Sequence, residues 1–282
     1  MKFRTEVNID KPTFSIHPLE CMLFVGSCFA DNIGKRFQEE KFRAVVNPYG
    51  VMYNPVSILH TVKRFSEEMS KDNAPGHRAW RSTDEVVSVF TLGTNHVYRL
   101  KETGEIVDNC RKRPQYLFQE ECLTIDQCCD ALSEAVDILC GLNDKVKVVV
   151  TVSPIRYAKY GFHESQISKA TLLLAADRLC RERDNCTYFP AYEIVNDELR
   201  DYRFYKEDMI HPSEQAVSYI WEKFSETFFT KETFRFLEKW RPIKEALNHR
   251  PFNPDGDEYK QFMQRTHEKM RKLKMEYLDL EL

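Results

Sequence analysis

Residues 21–46 contain the pattern that most restricts the fold. A continuous apolar run, CMLFV at 21–25, ends at Gly26 and is typical of a strand buried on both faces. The segment RAVVNP at 43–48 again favours a strand. Between the two, apolar residues recur at helical spacing, at Phe29, Ile33 and Phe37. A strand, a helix and a second strand in this order predict a parallel β-sheet with the helix packed on one face.

The same alternation continues downstream. Strands are predicted in four segments: EVVSVFTLG (85–93), HVYRL (96–100), KVKVVVTVSP (145–154) and TYFPAYEIV (187–195). The segment KETGEIV, at 101–107, contains the glycine of a hairpin turn. Four or five strands that alternate with helices predict a three-layer α/β/α sandwich with a mainly parallel sheet.

Helix boundaries can also be predicted. Thr124 and Gln127 have the spacing of a capping box, and Gly141 is placed to end the helix that follows them. A second helix is predicted over 165–183, and Pro212 is suited to the start of a third. The apolar face of that third helix consists of Val217, Ile220, Trp221, Phe224 and Phe228.

The composition changes near residue 230. Beyond it the chain is rich in charged, helix-favouring residues, which the segment NHRPFNPDGDEY interrupts. We therefore predict a domain over 1–230 and a C-terminal helical extension over 231–282, either packed on the domain or projecting from it. For the segment 259–282, a surface helix lying on its own domain is the more common case, and contact with a partner is the alternative.

Composition and charge exclude several classes of partner. The chain has 282 residues, 42% of them apolar, which allows one large domain with an appendage. Lysine and arginine number 41 against 44 aspartate and glutamate, so the net charge of -3 favours neither nucleic acid nor an anionic membrane. Small or neutral ligands are expected, and the oligomeric state is left open.

The sequence also lacks targeting segments and metal-binding cysteine motifs. The N-terminal segment has no secretory-signal pattern, and no stretch approaches the roughly 18 apolar residues of a membrane span, so a cytoplasmic protein is predicted. The nine cysteines are irregularly spaced, with no CxxC motif and no Cys/His grouping of zinc-ligand spacing. Reduced thiols and no metal site are predicted.

Ser27 is the first candidate for a catalytic residue. It follows the strand at 21–25 and precedes a helix, so it is expected at the carboxyl edge of the sheet, where helix N-termini direct free amides outward. The hydroxyl would be exposed there, and the Ser27 amide would face an oxyanion formed beside it. A serine hydroxyl is a weak nucleophile, however, and needs a base that a third group orients.

The segment EDMIHPS, at 207–213, offers such a base. Asp208 and His211 are close enough in sequence for the carboxylate to accept a hydrogen bond from one imidazole nitrogen. The alternative is that both residues only cap the helix that Pro212 opens. Cys28 is a rival nucleophile because thiolates are more reactive than hydroxyls, but we expect its side chain to point inward from the turn.

Three more residues are candidates for a substrate pocket. Tyr49, next to Gly50, is placed to form an apolar wall for a sugar ring or an acyl chain. Arg156 and His163 follow the last long predicted strand, in a loop that should open on the same sheet edge as Ser27. Surface or core packing is the alternative role for each.

At this point the sequence resembles a known family. The letters GSCFA at 26–30 match the motif for which GSCFA-domain proteins are named, a family grouped with the SGNH or GDSL-type hydrolases. Five further blocks resemble that family in the same order, so that the likeness covers about residues 15–225: NPYGVMYNP (47–55), LGTNHVY (92–98), TVSPIR (151–156), SKATLLLA (168–175) and the long block at 188–224.

The resemblance implies a fold and a catalytic triad. The expected fold is an SGNH-like α/β/α sandwich, in which Ser27 is the nucleophile and Asp208 and His211 are the last-block Asp-x-x-His pair. The amides of Ser27 and Gly50 would help to bind the oxyanion.

A third oxyanion donor is implied by the same resemblance. The block GTNH, at 93–96, is similar to the Gly-x-Asn-Asp pattern of the wider group and points to the Asn95 side chain, with Asn109 as the alternative. Arg111 places a permanent charge near Asn109, which would alter substrate choice or simply be solvated.

These features predict a serine esterase of the carboxylic ester hydrolase class. It would act on an acyl ester, with O-acyl groups on a carbohydrate as one candidate, and would need no cofactor. Two alternatives remain open: an acyltransferase that uses the same site, and a non-catalytic domain for ligand binding or assembly.

Overall fold

Eight strands form two sheets in a computed structural model, which describes residues 4–71, 80 and 84–281. The strands are β1 (Cys21–Gly26), β2 (Arg43–Val46), β3 (Val87–Leu92), β4 (His96–Leu100), β5 (Ile106–Val107), β6 (Phe118–Cys122), β7 (Lys147–Val152) and β8 (Cys186–Tyr188). The central sheet has the order β2-β1-β3-β7-β8, and all four of its pairings are parallel. The predicted parallel sheet is therefore confirmed.

Helices cover both faces of the central sheet. They are α1 (Cys28–Glu39), α2 (Pro55–Met69), α3 (Ile125–Leu142), α4 (Phe162–Glu182), α5 (Glu214–Phe228), α6 (Lys231–Asn248) and α7 (Asp257–Glu276). Short 3-10 turns lie at Gln115–Leu117, Ala158–Tyr160 and Tyr202–Phe204, and a helical turn at Ala191–Glu193 runs into a π-helix at Ile194–Leu199.

The strand β1 shows why the sheet is buried on both sides. Leu23 and Val25 belong to an apolar core that α2, α3 and α4 complete. Met22 and Phe24, which point to the opposite face because side chains alternate along a strand, belong to a second core with α1 and α5. Two cores on the two faces of one parallel sheet make the predicted three-layer α/β/α sandwich.

A smaller antiparallel sheet, of order β5-β4-β6, follows β3. The predicted hairpin turn joins β4 to β5, and Gly104 adopts a φ of 73° there. The strand β6 was not predicted, because in FQEEC only Phe118 is buried and the rest of the strand is half-buried or exposed.

The helix predictions need three corrections. The capping box of Thr124 and Gln127 is present, but α3 continues through Gly141 and ends at Leu142. The third predicted helix starts at Glu214, two residues beyond Pro212, and Ser213 is its N-cap. The helix α2 was missed, although Asn54 caps it and Pro55 occupies its first turn.

The strand predicted over 187–195 is much shorter in the structure. The strand β8 ends at Tyr188, and the chain turns helical from Ala191. Pro190 has no amide hydrogen to donate to a β-ladder, which explains why the strand stops before it.

The C-terminal extension packs against the domain. Phe236, Trp240 and Ile243 of α6 form a small core with Leu273 of α7 and with Leu19. The Trp240 indole also donates a 2.9 Å hydrogen bond from Nε1 to the Glu39 carbonyl. The C-terminal helices therefore contact the domain at Leu19 and Glu39.

Candidate active site

Ser27 lies at the carboxyl end of β1, between the strand and α1. Gly26 has a φ of 146°, and a Cβ atom there would be 2.2 Å from the Thr91 carbonyl oxygen, so only glycine allows β3 to approach this closely. Ser27 is the N-cap of α1, and its Oγ accepts a 3.2 Å hydrogen bond from the Phe29 amide. The same Oγ lies 3.2 Å from Thr91 Oγ1. The residue is 1% exposed, so the expectation of an exposed hydroxyl at the sheet edge is wrong.

Asp208 and His211 form a close pair in the loop before α5. Nδ1 of His211 and Oδ2 of Asp208 are 2.6 Å apart. The other carboxylate oxygen accepts hydrogen bonds from the amides of His211, at 3.0 Å, and Ile210, at 2.9 Å. These backbone bonds, together with the His211 side chain, lower the pKa of Asp208 to about 2. The carboxylate therefore stays ionised, and it leaves Nε2 of His211 available.

Arg156 holds this loop in place. Its guanidinium donates a 2.9 Å hydrogen bond to the Met209 carbonyl, and its amide donates to the Ile210 carbonyl at 3.0 Å. Met209 has a φ of 55°, in the left-handed region that a side chain adopts only when the surroundings hold it. The His211 imidazole is thus positioned from the end of β7 as well as by Asp208.

Ser27 and His211 line one cavity of about 330 Å³. Its walls are largely apolar and aromatic, and they include Tyr53, Ile155 and Tyr157, while Arg156 is among the polar residues. In the described part of the chain, Ser27 Oγ makes its hydrogen bonds with Thr91 and Phe29 and none with His211. The Ser27 hydroxyl and the oriented His211 imidazole therefore line the same cavity without a hydrogen bond between them.

Cys28 also lines this cavity, which corrects the expectation that it points inward. It is half-buried, and its Sγ lies 3.7 Å from the Tyr53 hydroxyl. As the first residue of α1, Cys28 sits on the turn that faces the cavity rather than the core. Its amide has no acceptor within the helix, because the first amides of an α-helix never do.

The residues expected to bind an oxyanion are placed differently. The Ser27 amide donates to the Thr91 carbonyl at 3.0 Å, and the Gly50 amide donates to the Asn47 carbonyl at 2.9 Å. Gly50 and Asn109 line a second cavity, described below, rather than that of Ser27. None of these three is a free donor beside the Ser27 hydroxyl in this structure.

Asn95 is directed away from Ser27 by the loop after β3. The amides of Gly93 and Thr94 both donate to the Tyr53 carbonyl, at 2.9 and 2.8 Å, and this turns the chain. Asn95 is buried beyond the turn, where its Nδ2 donates to the Leu123 carbonyl at 2.8 Å.

The predicted pocket residues divide in the same way. Arg156 lines the Ser27 cavity. Tyr49 lines the second cavity, where the Arg64 guanidinium stacks 3.8 Å from its ring centre. His163 is exposed at the start of α4 and lines neither cavity.

Lys169 is a residue at this site that the sequence analysis missed. It lies on α4 and is 2% exposed, and its Nζ donates 2.7 Å hydrogen bonds to the carbonyls of Gly93 and Ser153. Both acceptors line the Ser27 cavity, at the ends of β3 and β7. Among the described residues no carboxylate pairs with the ammonium, and burial lowers the pKa of Lys169 to about 7. The only sequence feature that could have pointed to Lys169 is its position in the block SKATLLLA, which resembles the GSCFA family.

The described residues contain no group of three or more His, Cys, Asp or Glu side chains that could hold a metal ion. Within the same ranges, no helix has the length and apolarity to cross a bilayer.

Two family models match the sequence. The model of the GSCFA family matches residues 21–86 and 79–224, and that of the GSCFA domain protein C-terminal domain matches residues 240–282. The chain belongs to the GSCFA family. In this GSCFA protein the second match begins within α6. A separate family model therefore covers most of the C-terminal helices. No curated protein matches the chain.

Several solved structures are similar to this chain at low sequence identity. A Streptococcus pneumonia protein described as a platelet activating factor is 13% identical, with a TM-score of 0.44 over 74% of this chain and 84% of its own. A mutant acetyl esterase with acetate ion is 10% identical, with a TM-score of 0.43 over 77% and 98%. A carbohydrate esterase family 3 protein from Talaromyces cellulolyticus is 10% identical, with a TM-score of 0.41 over 77% and 98%.

Proposed function

We propose that this GSCFA protein is a serine hydrolase of the SGNH type, which cleaves a short acyl ester carried by a carbohydrate or a similar alcohol. One observation supports the proposal most. Ser27 and His211, far apart in sequence, line one cavity, and the Asp208 carboxylate binds the imidazole nitrogen that does not take part in proton transfer.

In the proposed reaction His211 acts as base and then as acid. The Ser27 side chain rotates away from Thr91, and its proton passes to Nε2 of His211 as Oγ forms a bond to the acyl carbon. The imidazolium then gives that proton to the leaving alcohol as the ester bond breaks. A water molecule, deprotonated by the same imidazole, releases the acyl group and restores the Ser27 hydroxyl.

The Cys28 amide is our candidate for the main oxyanion donor. It is free of helical hydrogen bonds and lies at the N-terminus of α1, where the helix dipole favours negative charge. It replaces the Ser27 amide, which is bound to Thr91. A donor of this kind contributes on the order of 10²–10³ in turnover.

The size of the cavity favours a small acyl group. About 330 Å³ is near the lower limit of ligand sites, which are roughly 300–1,000 Å³. Tyr53 and Tyr157, whose ring centres are 6.5 Å apart, offer faces on which a sugar ring can stack. These walls support an acetyl ester of a carbohydrate as the proposed substrate.

A second candidate is a non-catalytic domain that binds such an ester without cleaving it. The specific observation in its favour is that Ser27 Oγ binds Thr91 Oγ1 and the Phe29 amide rather than His211. In many apo enzymes catalytic hydrogen bonds form only with substrate, so the two candidates must be separated by measurement.

The test is hydrolysis of a chromogenic acetate ester by the purified chain. We expect turnover that falls by about 10⁴-fold or more in Ser27→Ala and His211→Ala. Cys28→Ala is the matched control, because it alters the neighbouring side chain in the same cavity while keeping the amide, and it should retain most of the activity.

Three outcomes would change the assignment. Loss of activity in Cys28→Ala with retention in Ser27→Ala would make the thiol the nucleophile. No turnover of any short acyl ester by folded protein would favour the binding domain. An acyl transfer product that appears only with a sugar acceptor would identify the acyltransferase alternative.

A further inference from the structure

A second cavity lies on the other side of the loop that borders the Ser27 site. It has a volume of about 590 Å³ and is lined by α2, by residues 49–52 and by residues 106–113. Met52 lines this cavity, whereas the next residue, Tyr53, lines the cavity of Ser27, and the two share no lining residue. Three arginines line it, and it is called the arginine cavity below.

The lining of the arginine cavity is positively charged. Its arginines are Arg64, Arg111 and Arg113, and its one acidic residue is Asp108. Asp108 is already paired with His60, at 2.9 Å between Oδ1 and Nδ1. In the described ranges, neither Arg111 nor Arg113 forms an ion pair with a carboxylate. Arg64 pairs with Glu68 at 3.4 Å, so Arg111 and Arg113 carry the two positive charges of the lining that no ion pair among the described residues offsets, in a chain whose net charge is -3.

Aromatic rings contact the guanidinium groups of two of these arginines. The Arg64 guanidinium lies 3.8 Å from the ring centre of Tyr49, and that of Arg113 lies 4.9 Å from the ring centre of Phe118. The Arg111 amide donates a 2.7 Å hydrogen bond to Oδ1 of Asn109, which fixes the turn. Guanidinium groups that are already ordered lose less conformational entropy when they bind an anion.

A buried hydroxyl gives a second, independent indication of a ligand. Thr61 lines the arginine cavity and is 2% exposed, and its Oγ1 has no hydrogen-bond partner among the described residues. A buried hydroxyl without a partner is destabilising, and such groups are rare in folded proteins. Threonine in a helix has two accessible χ1 rotamers, and a rotation that turned this buried hydroxyl into the cavity would let it donate a hydrogen bond to an oxyanion there.

We propose that the arginine cavity binds the phosphate group of a small phosphomonoester. A phosphate dianion matches the two positive charges of Arg111 and Arg113, and its oxygens accept paired hydrogen bonds from guanidinium groups in the geometry that arginine favours. The proposal does not depend on ester hydrolysis at Ser27, since binding to this cavity is measured directly.

The test is isothermal titration calorimetry of the full chain at constant ionic strength. The ligands are inorganic phosphate, glucose 6-phosphate, glucose and acetate. We expect saturable binding of the two phosphates and none of glucose or acetate. Tighter binding of glucose 6-phosphate would identify a phosphate ester as the ligand, and equal binding would identify free phosphate.

Variants locate the binding. Arg111→Gln with Arg113→Gln should weaken phosphate binding by at least about tenfold, because two charge-assisted contacts are lost. Thr61→Val, which changes shape little and charge not at all, should weaken it roughly threefold to tenfold. The matched control is Arg265→Gln with Arg271→Gln on α7, which removes the same charge from exposed positions and should bind as the wild type does.

Three results would overturn the proposal. The first is the absence of phosphate binding by the folded wild-type chain, and the second is equal weakening in the α7 control. The third is unchanged binding in both the double arginine variant and Thr61→Val. Hydrolysis of a neutral acetate ester should be unchanged in all of these variants, so failure here is distinct from failure of the proposed esterase.

Discussion

The buried Lys169 makes the stability of this protein depend on pH in a defined direction. Burial lowers the pKa of its ammonium from an ordinary 10.5 to about 7. Between these two values the unfolded chain holds a proton that the folded chain has released. Stability therefore rises with pH across this window and is lost as the pH falls through about 7.

The size of the effect follows from the width of the window. Roughly 3.5 pH units at about 1.36 kcal/mol per unit correspond to about 5 kcal/mol between pH 7 and pH 10.5, with a limiting slope of about 1.4 kcal/mol per pH unit. A contribution of this size is a large fraction of the 5–15 kcal/mol that is typical of a folded domain. It should be visible in any careful measurement of unfolding.

The assay is urea unfolding followed by far-UV circular dichroism from about pH 7 to about pH 9.5, with a reductant because all nine cysteines are free. Lys169→Met removes the titrating group, so the difference in unfolding free energy between wild type and variant should grow with pH at close to the limiting slope. Lys269→Met, at an exposed position on α7, is the control and should follow the wild type. A Lys169→Met variant with the wild-type slope would refute this account of the buried ammonium.

Three further predictions concern stability. Burial raises the pKa of Glu20 to about 7, so stability should fall by about 3 kcal/mol as pH rises from 4.5 to 7, and Glu20→Gln should flatten this fall in the same unfolding assay. Gly26→Ala should lower the midpoint of urea unfolding sharply or prevent folding, because its Cβ would overlap the β3 backbone. Gly141 has open space around it, so Gly141→Ala should stabilise the protein by about 0.5–1 kcal/mol. Trp240→Ala should cost about 3–5 kcal/mol through lost packing and the lost bond to Glu39, and equal stability of this variant would contradict docking of the C-terminal helices.

The layers of the fold could be predicted because local patterns and long-range packing agree. The apolar run at 21–25 is buried on both faces, as its composition requires. The capping box at Thr124 forms as its spacing predicts. Where a polar strand such as β6 relies on its neighbours for pairing, the local pattern contains little information.

The site could be predicted only in part. Ser27 and His211 meet in one cavity because the carboxyl ends of parallel strands converge, which is a property of the topology. The positions of Gly50 and Asn95 depend instead on hydrogen bonds to the Asn47, Tyr53 and Leu123 backbone, which no local motif specifies.

Lys169 illustrates the same limit of sequence reasoning. A lysine in a helix is usually exposed, and its burial here depends on two carbonyl acceptors from separate strands.

The central claim is that Ser27 is a nucleophile activated by His211. The most direct measurement is the reaction of the folded chain with a fluorophosphonate probe, followed by mass-spectrometric mapping of the adduct. A nucleophilic Ser27 should form an adduct that disappears in His211→Ala and persists in Cys28→Ala. An adduct on Cys28, or no adduct on either residue of the folded protein, would contradict it.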